Sequence, residues 1–384
     1  MTETARIHLS VPVIEGNAWT YVKECLDTGW ISSAGKFVGD FEQAIAGLAG
    51  APYAVATVNG TAALQIALLV AGVEAGQGVI APNLTFVASL NAISYLNAVP
   101  VLIDAEADGW QMDLDLLEDY LANSCERVEQ GVRSPEGLII TTILPVHVLG
   151  NIGHVRRLMA LAEQYGLTVV EDSTEALGST YEGQSAGTFG RLGTFSFNGN
   201  KILSTGGGGM IVTGDEQLAR RAKHLTTTAK TRPDEYFHDE VGYNFRLVNL
   251  LAAVGLSQAE VFPDTLATRR RIEGHYRQAL AGVGDITFAR VLPDVNPNGW
   301  LTTFRTRHMR ELLASLTQAA IECRPLWVPM NQLPMFANCP FIGEQNVSGQ
   351  LYESCISIPS SGNLTAEQGE RVIDHIKHFY EQQA

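Results

Sequence analysis

Apolar and polar residues follow two different periods along the first two-thirds of the chain. Short apolar runs of strand length alternate with segments whose apolar residues recur every three or four positions, as on one face of a helix. The predicted strands are residues 53–58, 78–81, 100–103, 138–146 and 167–170, and the predicted helices are residues 19–27, 38–48, 60–71, 114–121 and 155–165. Apolar strands that alternate with helices form a mostly parallel sheet with helices on both faces, so the pattern predicts an α/β fold.

The pattern changes after about residue 215. Helical spacing continues over residues 216–227, 249–261 and 267–281, and beyond residue 285 short strands mix with proline-containing loops. The last helix is predicted over residues 366–380, where Thr365 and Gln368 form a capping-box pattern. We therefore predict a large α/β domain with a mostly parallel sheet over residues 1–248 and a smaller C-terminal α+β domain over residues 249–384.

Composition and charge exclude several classes of protein. The 384 residues are 46% hydrophobic and 17% charged, which favours a large folded core over disorder. The net charge of −15, from 26 basic and 41 acidic residues, disfavours binding to nucleic acid or to an anionic membrane. No apolar run is long enough to span a bilayer, and Met1–Thr4 lacks the basic start of a signal peptide.

The five cysteines are scattered and form no CxxC pair. Neither a zinc site nor a disulfide framework is indicated, so we expect no metal and free thiols in a reducing compartment. Together with the absence of a signal peptide, this predicts a cytoplasmic protein.

A predicted strand turns directly into a helix at residues 58–64. Free backbone N–H groups at the start of a helix attract phosphate, Gly60 permits a close approach, and Thr61 adds a hydroxyl donor. The alternative is that Asn59 or Thr61 only caps the helix.

Carboxylates follow another predicted strand, in the run Glu171-Asp172-Ser173-Thr174-Glu175. Parallel sheets bind ligands at the carboxyl ends of their strands, so Asp172 is expected at the mouth of a site. The alternative is an aspartate that caps the following turn.

Lys201 is one of only six lysines and lies between the aromatic run 194–200 and the glycines 206–209. A buried lysine has a lowered pKa and becomes a usable amine nucleophile. The alternative is a solvent-facing lysine in a flexible glycine hairpin.

The stretch Gly242-Tyr243-Asn244-Phe245-Arg246 lies between predicted helices. Its aromatic, amide and guanidinium groups are suited to binding an anion. Packing at the domain boundary is the alternative interpretation.

A phosphate cradle, a strand-end aspartate and a sheltered lysine together fit pyridoxal 5′-phosphate (PLP). The lysine amine can bond to the cofactor aldehyde, and the aspartate can keep the pyridine nitrogen protonated, which makes the ring an electron sink. The freed lysine can then move a proton as general acid and base. Phe86 follows a predicted strand and either stacks on the ring or belongs to the core.

The order of these segments resembles the DegT/StrS-type sugar-nucleotide aminotransferases, a PLP-dependent family with the aspartate-aminotransferase fold (fold type I). The resemblance covers nearly the whole chain. It includes residues 28–35, 59–64, 83–86, 145–147, 171–178, 196–201, 206–210, 242–246 and 351–365.

The resemblance implies a role for each matching residue. Lys201 is the lysine that binds the cofactor covalently, and Asp172 pairs with the pyridine nitrogen. Phe86 stacks on the ring, while Glu175 lies beside the cofactor hydroxyl. The implied phosphate ligands are Gly60, Thr61, Ala62 and Ser196, with Asn244 contributed by the neighbouring subunit of a homodimer. His147 and Arg246 are expected near the substrate.

Two positions depart from the family pattern. Glu175 occupies a position where Gln or His is common, so its carboxyl group must be protonated or paired with a donor. Gly207 replaces the acidic residue of the usual Gly-Glu-Gly-Gly run; nothing in the sequence explains this change.

The resemblance implies a ping-pong reaction in which L-glutamate gives its amino group to the cofactor and the cofactor then aminates a nucleotide-linked 4-keto-6-deoxy sugar. Residues 30–36, 145–150, 196–201 and 298–301 are most similar to enzymes that act on UDP-linked 2-acetamido sugars. An enzyme for GDP-4-keto-6-deoxymannose, of the perosamine type, is the nearest alternative. Sugar dehydratases of this fold carry His in place of Lys201, and a non-catalytic regulator would have lost Lys201 or Asp172. An amino-acid aminotransferase would need an arginine for the substrate carboxylate, and Arg371 is expected to face solvent instead.

Overall fold

The computed structural model describes residues 5–232 and 234–383, so the segment Met1–Thr4 considered above lies outside the described residues. Within these ranges the helices are α1 (Ala18–Thr28), α2 (Lys36–Ala49), α3 (Gly60–Val70), α4 (Ala88–Ser94), α5 (Leu114–Asp119), α6 (Val155–Tyr165), α7 (Glu216–Thr226), α8 (Asn249–Glu260), α9 (Phe262–Ala279), α10 (Met309–Gln318), α11 (Val347–Ser354) and α12 (Ala366–Glu381). A π-helical turn, Tyr120–Ser124, continues α5. Each predicted helix has an observed counterpart because the 3.6-residue period and the caps are encoded locally, whereas α4, α10 and α11 were not predicted.

The strands are β1 (Tyr53–Thr57), β2 (Gly78–Pro82), β3 (Val99–Ile103), β4 (Glu126–Arg127), β5 (Val132–Arg133), β6 (Ile139–Ile143), β7 (Thr168–Asp172), β8 (Thr180–Tyr181), β9 (Gln184–Ser185), β10 (Leu192–Ser196), β11 (Gly209–Thr213), β12 (Thr287–Phe288), β13 (Val295–Asn296), β14 (Thr302–Arg305), β15 (Arg324–Pro325), β16 (Phe341–Ile342) and β17 (Cys355–Ile358). In the part of the chain that the structure describes, the largest sheet has ten strands, and its main path is β1-β11-β10-β7-β6-β2-β3-β16. From β10 to β16 every neighbouring pair on this path is parallel. The predicted mostly parallel α/β sheet is therefore present.

Helices cover both faces of this sheet. One core joins α3, α4 and α7 to the sheet, and a second joins α1, α2 and α8 to the opposite face. A third core lies under α5 and α6. Strand β2 is buried along its whole length, which explains why it reads as a continuous apolar run in the sequence.

The C-terminal part forms a smaller α+β unit. Its antiparallel sheet has the order β12-β14-β17-β15, and α9, α10 and α12 pack around it. Helix α12 begins with the predicted capping box, in which the Thr365 hydroxyl accepts from the Gln368 N–H and the Gln368 side chain accepts from the Thr365 N–H.

Three segments pack on the opposite side of the domain boundary that was predicted at residue 248. Helix α8 belongs to the core of the large sheet, and Ile272 and Tyr276 of α9 are the first residues after it in the small-domain core. Ile7 also packs in the small-domain core, and β16 returns to the edge of the large sheet. Such exchanges depend on tertiary packing, which local patterns do not encode.

The topology brings several chain segments to one edge of the large sheet. Strands β2, β6, β7 and β10 run parallel, so their carboxyl ends meet there. Helix α3 begins at the same edge because β1 is antiparallel to β11, which is itself antiparallel to β10. Within the described ranges no helix is long and apolar enough to cross a membrane.

Candidate active site

A cavity of about 350 Å³ lies between the carboxyl edge of the large sheet and the small domain. Seven residues predicted from the sequence line its large-domain wall: Gly60, Thr61, Phe86, Asp172, Glu175, Ser196 and Lys201. The small domain contributes residues without a predicted role, among them Trp300, Arg324 and Trp327. The cavity therefore combines most of the predicted site with a wall that only the tertiary structure reveals.

Lys201 follows β10 and extends into this cavity instead of into solvent, with 13% of its side chain exposed. Its Nζ atom lies 3.9 Å from Glu175 Oε1 and 3.8 Å from the centroid of the Trp300 ring. Burial lowers the pKa of the Lys201 amine, while the carboxylates of Glu175 and Asp172 act in the opposite direction. A lysine in this environment is a nucleophile whose proton is easily removed.

Asp172 is the last residue of β7 and is buried at the base of the cavity. Its Oδ2 accepts a hydrogen bond of 2.6 Å from the Ser89 hydroxyl, and its Oδ1 accepts one of 3.1 Å from the Thr174 N–H. The Ser89 hydroxyl also lies 3.0 Å from the Thr85 hydroxyl. Neither Ser89 nor Thr85 was predicted as a site residue, although their position shortly after a buried strand was an available signal.

The strand-to-helix turn forms a tight cradle at the start of α3. Asn59 caps the helix, since its side chain accepts from the Ala62 N–H at 2.8 Å. The amide of Ala62, predicted as a phosphate donor, is thus engaged by Asn59, while Gly60 and Thr61 face the cavity. A Cβ on Gly60 would lie 2.8 Å from Ser196 Cβ, so only glycine allows this close approach.

Glu175 has a hydrogen-bond donor of the kind expected for a carboxyl group at this position. The Leu149 N–H donates to its Oε2 at 2.7 Å, and the Lys201 amine lies near its other oxygen. Burial raises the pKa of Glu175 to about 7, although Lys201 and the Leu149 N–H favour the carboxylate. The group can therefore hold or release a proton near neutral pH.

Phe86 and Asn244 occupy exposed positions. Phe86 is 51% exposed and lines the cavity, so its ring belongs to the wall and not to the core. Asn244 is exposed and does not line the cavity of its own chain. Its neighbour Phe245 accepts a backbone hydrogen bond of 2.8 Å from the Val58 N–H, which holds this segment against the end of β1.

His147 and Arg246, expected near the substrate, are not brought into the cavity. His147 is buried, and its Nε2 lies 2.8 Å from Glu171 Oε2. Arg246 forms a two-pronged ion pair with Glu42, in which the Nη2–Oε2 distance is 3.2 Å. Both side chains are engaged by buried carboxylates, and neither lines the cavity of its own chain.

The residues present fit PLP. The amine of Lys201 and the carboxylate of Asp172 lie in one cavity, and the Gly60 cradle at the start of α3 suits a phosphate. The raised pKa of Glu175 suits a group that shares a proton with the phenolic oxygen of the cofactor.

Comparison with known proteins agrees with this geometry. The sequence profile of the DegT/DnrJ/EryC1/StrS aminotransferase family matches residues 12–377. The chain is similar to EpsN of Bacillus subtilis, at 36% identity over 98% of this chain and 96% of that protein. It is also similar to the GDP-perosamine synthase of Caulobacter vibrioides, at 35% identity over 97% and 98%.

Solved structures show the same fold. The PLP form of the sugar aminotransferase Spr1654 from Streptococcus pneumoniae superposes with a TM-score of 0.87 at 25% identity, covering 99% of this chain and 100% of that one. These findings confirm the predicted fold type I and the predicted cofactor. The chain therefore belongs to the DegT/DnrJ/EryC1/StrS aminotransferase family and is a PLP-dependent sugar aminotransferase.

Proposed function

We propose that the protein transfers the amino group of L-glutamate to a nucleotide-linked 4-keto-6-deoxy sugar by a ping-pong mechanism. The observation that carries this proposal is that the Lys201 amine and the Asp172 carboxylate line the same cavity. Bound PLP supplies an electron sink for the carbanion formed when the amino-bearing carbon loses its proton.

Asp172, Lys201 and Glu175 have the chemical roles in this proposal. The Ser89 hydroxyl and the Thr174 N–H hold the Asp172 carboxylate in place, and this carboxylate would pair with the pyridine nitrogen of the cofactor. Lys201 would anchor the cofactor and, once released, would accept a proton as general base and donate it again as general acid. Glu175 holds or accepts a proton beside the phenolic oxygen.

The remaining residues bind and orient the cofactor. The backbone and hydroxyl donors of Gly60, Thr61 and Ser196 would hold the phosphate, and Phe86 would stack on the ring. Asn244 of the partner subunit would complete the phosphate site in a homodimer.

Arg324 is suited to binding an anionic substrate. It is the one arginine among the described residues that line this cavity, and it lies on the wall formed by the small domain. Its Nη1 donates to the carbonyl of Cys323 at 2.8 Å, and its guanidinium is 3.9 Å from Glu322, so much of its hydrogen-bonding capacity is left for a ligand. Because a ping-pong enzyme binds both substrates in one cavity, Arg324 would serve the glutamate carboxylate and the sugar-nucleotide diphosphate in turn.

UDP and GDP are the two candidates for the nucleotide that carries the sugar. Four segments resemble enzymes for UDP-linked 2-acetamido sugars: residues 30–36, 145–150, 196–201 and 298–301. The similarity to a GDP-perosamine synthase favours GDP-4-keto-6-deoxymannose as the second candidate.

The rival activities have less support. Arg371, the arginine considered for an amino-acid aminotransferase, donates to the carbonyl of Ala5 at 2.7 Å and fixes the N-terminal segment. A dehydratase would carry His at the position of Lys201, and a non-catalytic regulator would not need the Lys201–Asp172 pair.

The assignment of Lys201 is tested by absorption spectroscopy of the purified protein. Wild-type protein with PLP should show the band of lysine-bound cofactor, and this band should change when glutamate is added. Lys201→Ala should lack the band, whereas Lys23→Ala, which alters an exposed lysine paired with Asp27, should retain it. An unchanged band in Lys201→Ala would refute the assignment.

The substrate is tested with a panel of UDP-, GDP- and TDP-linked keto sugars and glutamate, followed by mass spectrometry of the products. Amination of a 4-keto-6-deoxy sugar supports the proposal, and the preferred nucleotide decides between the two candidates. A panel without any aminated product, from protein that responds to glutamate, would contradict the proposed sugar class.

A further inference from the structure

The indole ring of Trp300 forms part of the immediate environment of the Lys201 amine. The Nζ atom lies over the ring, 3.8 Å from its centroid, which is within the range of a cation–π interaction. Trp300 is only 3% exposed, so the contact is shielded from water. It joins the small domain directly to the reactive lysine of the large domain.

The orientation of this ring is held by several independent contacts. The indole N–H donates to the carbonyl of Asn200 at 2.7 Å, and the Trp300 backbone N–H donates to Asn298 Oδ1 at 3.0 Å. Gly299, between Asn298 and Trp300, has a φ of 68°, and a Cβ there would lie 2.9 Å from the carbonyl oxygen of Arg269. The ring therefore presents its face to Lys201 in a fixed position.

The same turn also holds the loop that carries Glu175. The side-chain amide of Asn298 donates to the carbonyls of Glu175 at 2.8 Å and Leu177 at 3.0 Å. The turn of residues 298–300 thus touches both partners of the Lys201–Glu175 pair.

An aromatic face discriminates between the two states of an amine. It attracts an ammonium ion through the ring quadrupole, and the attraction grows when water is excluded. The charged groups that act on Lys201 are the carboxyl groups of Glu175 and Asp172, and both also favour the ammonium form. Burial opposes all three contributions.

We infer that Trp300 is a positioning residue that holds the released Lys201 amine against the indole face, within reach of the Glu175 carboxyl group, and stabilises the cation that forms when this amine accepts a proton. The inference rests on the proposed role of Lys201 as the cofactor lysine. Over one full turnover the lysine would leave the cofactor in the first half-reaction and return to it only at the end of the second, and the ring would keep the free amine from turning away in between. The ring also opposes premature loss of the proton that the amine carries.

The test measures the pKa of the Lys201 amine in the full-length protein freed of cofactor. The protein is labelled with acetic anhydride over a range of pH, and mass spectrometry quantifies acetylation of the peptide that contains Lys201. Exposed Lys23 in the same samples serves as an internal reference. Trp300→Leu removes the aromatic face, Trp300→Phe retains it without the indole N–H, and Trp300→Met provides a second non-aromatic side chain should the leucine variant fold poorly.

We expect the apparent pKa of the Lys201 amine to fall by about 0.4 to 1.5 in Trp300→Leu or Trp300→Met, and to change less in Trp300→Phe. The pKa of Lys23 should be the same in all variants. An unchanged Lys201 pKa in the non-aromatic variants, or an equal fall in all three, would overturn the inference, since a merely structural role would not follow aromaticity. Failure of wild-type protein to bind PLP would instead contradict the proposed function, and it would leave this comparison intact.

Discussion

At the scale of single residues, Glu175 shows how burial produces a proton-sharing group. Its carboxyl group is buried beside the Lys201 amine, and the Leu149 N–H is its backbone donor. Desolvation is the largest effect and outweighs these favourable partners, so the pKa rises to about 7.

This environment predicts that Glu175 makes the free energy of unfolding depend on pH. Glu175→Gln should remove that part of the pH dependence. The unfolded chain ionises Glu175 near pH 4.5, whereas the folded chain keeps the proton up to about pH 7. The contribution of Glu175 to the free energy of unfolding is therefore full below pH 4.5 and is lost as the pH rises to about 7. The loss amounts to about 3 kcal/mol.

The measurement is urea unfolding of cofactor-free wild-type and Glu175→Gln protein at several pH values. Because glutamine does not titrate, the stability of wild type relative to the variant should decline between pH 4.5 and 7.5. Parallel stability curves over this interval would show that the carboxyl group ionises normally in the folded protein.

The position of Arg324 in the cavity wall predicts that its replacement changes the KM for both substrates. Arg324→Gln should raise the KM for glutamate and for the nucleotide sugar by about 10- to 100-fold with little change in kcat, because a charge-assisted hydrogen bond to each substrate is lost. Arg310→Gln, which alters an exposed arginine paired with Glu353, is the control and should behave as wild type. An effect confined to one substrate would contradict a role shared by both.

At the scale of elements, the start of α3 and the end of β10 form one binding unit. The helix begins at Gly60 directly after its Asn59 cap, and Ser196 ends the neighbouring strand. The two elements approach so closely that there is no room for a side chain on Gly60.

Gly60→Ala should therefore weaken PLP binding by about 10- to 100-fold, since the added methyl group must push Ser196 and the start of α3 apart. Equilibrium titration with PLP measures the effect. Gly47→Ala is a matched control within α2, where a Cβ meets open space, and it should leave the affinity unchanged. Equal affinities for wild type and Gly60→Ala would exclude this cradle as the phosphate site.

At the scale of the whole molecule, the segment around Asn244 is suited to contact with a second subunit. Asn244 itself is exposed, and the nearby side chains of Tyr236, Phe237 and Val241 are 94%, 58% and 85% exposed. Such a cluster of exposed apolar residues is typical of an interaction surface.

If Asn244 of the partner subunit completes each site, two inactive variants should restore activity when their subunits are mixed. Lys201→Ala and Asn244→Ala should together recover about a quarter of wild-type activity, because half of the randomly formed dimers are mixed and each has one complete site. Lys201→Ala mixed with Asp172→Ala should remain inactive, since these two residues belong to the same subunit. Absence of recovery in the first mixture would contradict a shared site.

The sequence by itself determined nine of the twelve α-helices in the described ranges, five strands of the large sheet, and the residue types proposed for the site. Hydrophobic periods, the Thr365 capping box and the strand-end position of Asp172 depend on residues that are near one another in the chain, so their physical consequences are readable locally. The scarcity of lysine and the surroundings of Lys201 pointed to a reactive amine in the same way. The family, the fold type and the cofactor followed from these segments.

Only the tertiary structure decided which side chains support the site. Ser89 reaches Asp172 across 83 residues, and Arg246 pairs with Glu42 across 204 residues instead of entering the cavity. The contact of Trp300 with Lys201 and the presence of Arg324 in the cavity wall arise where two domains meet. Contacts at such separations depend on how whole elements pack, and no local period or cap specifies that packing.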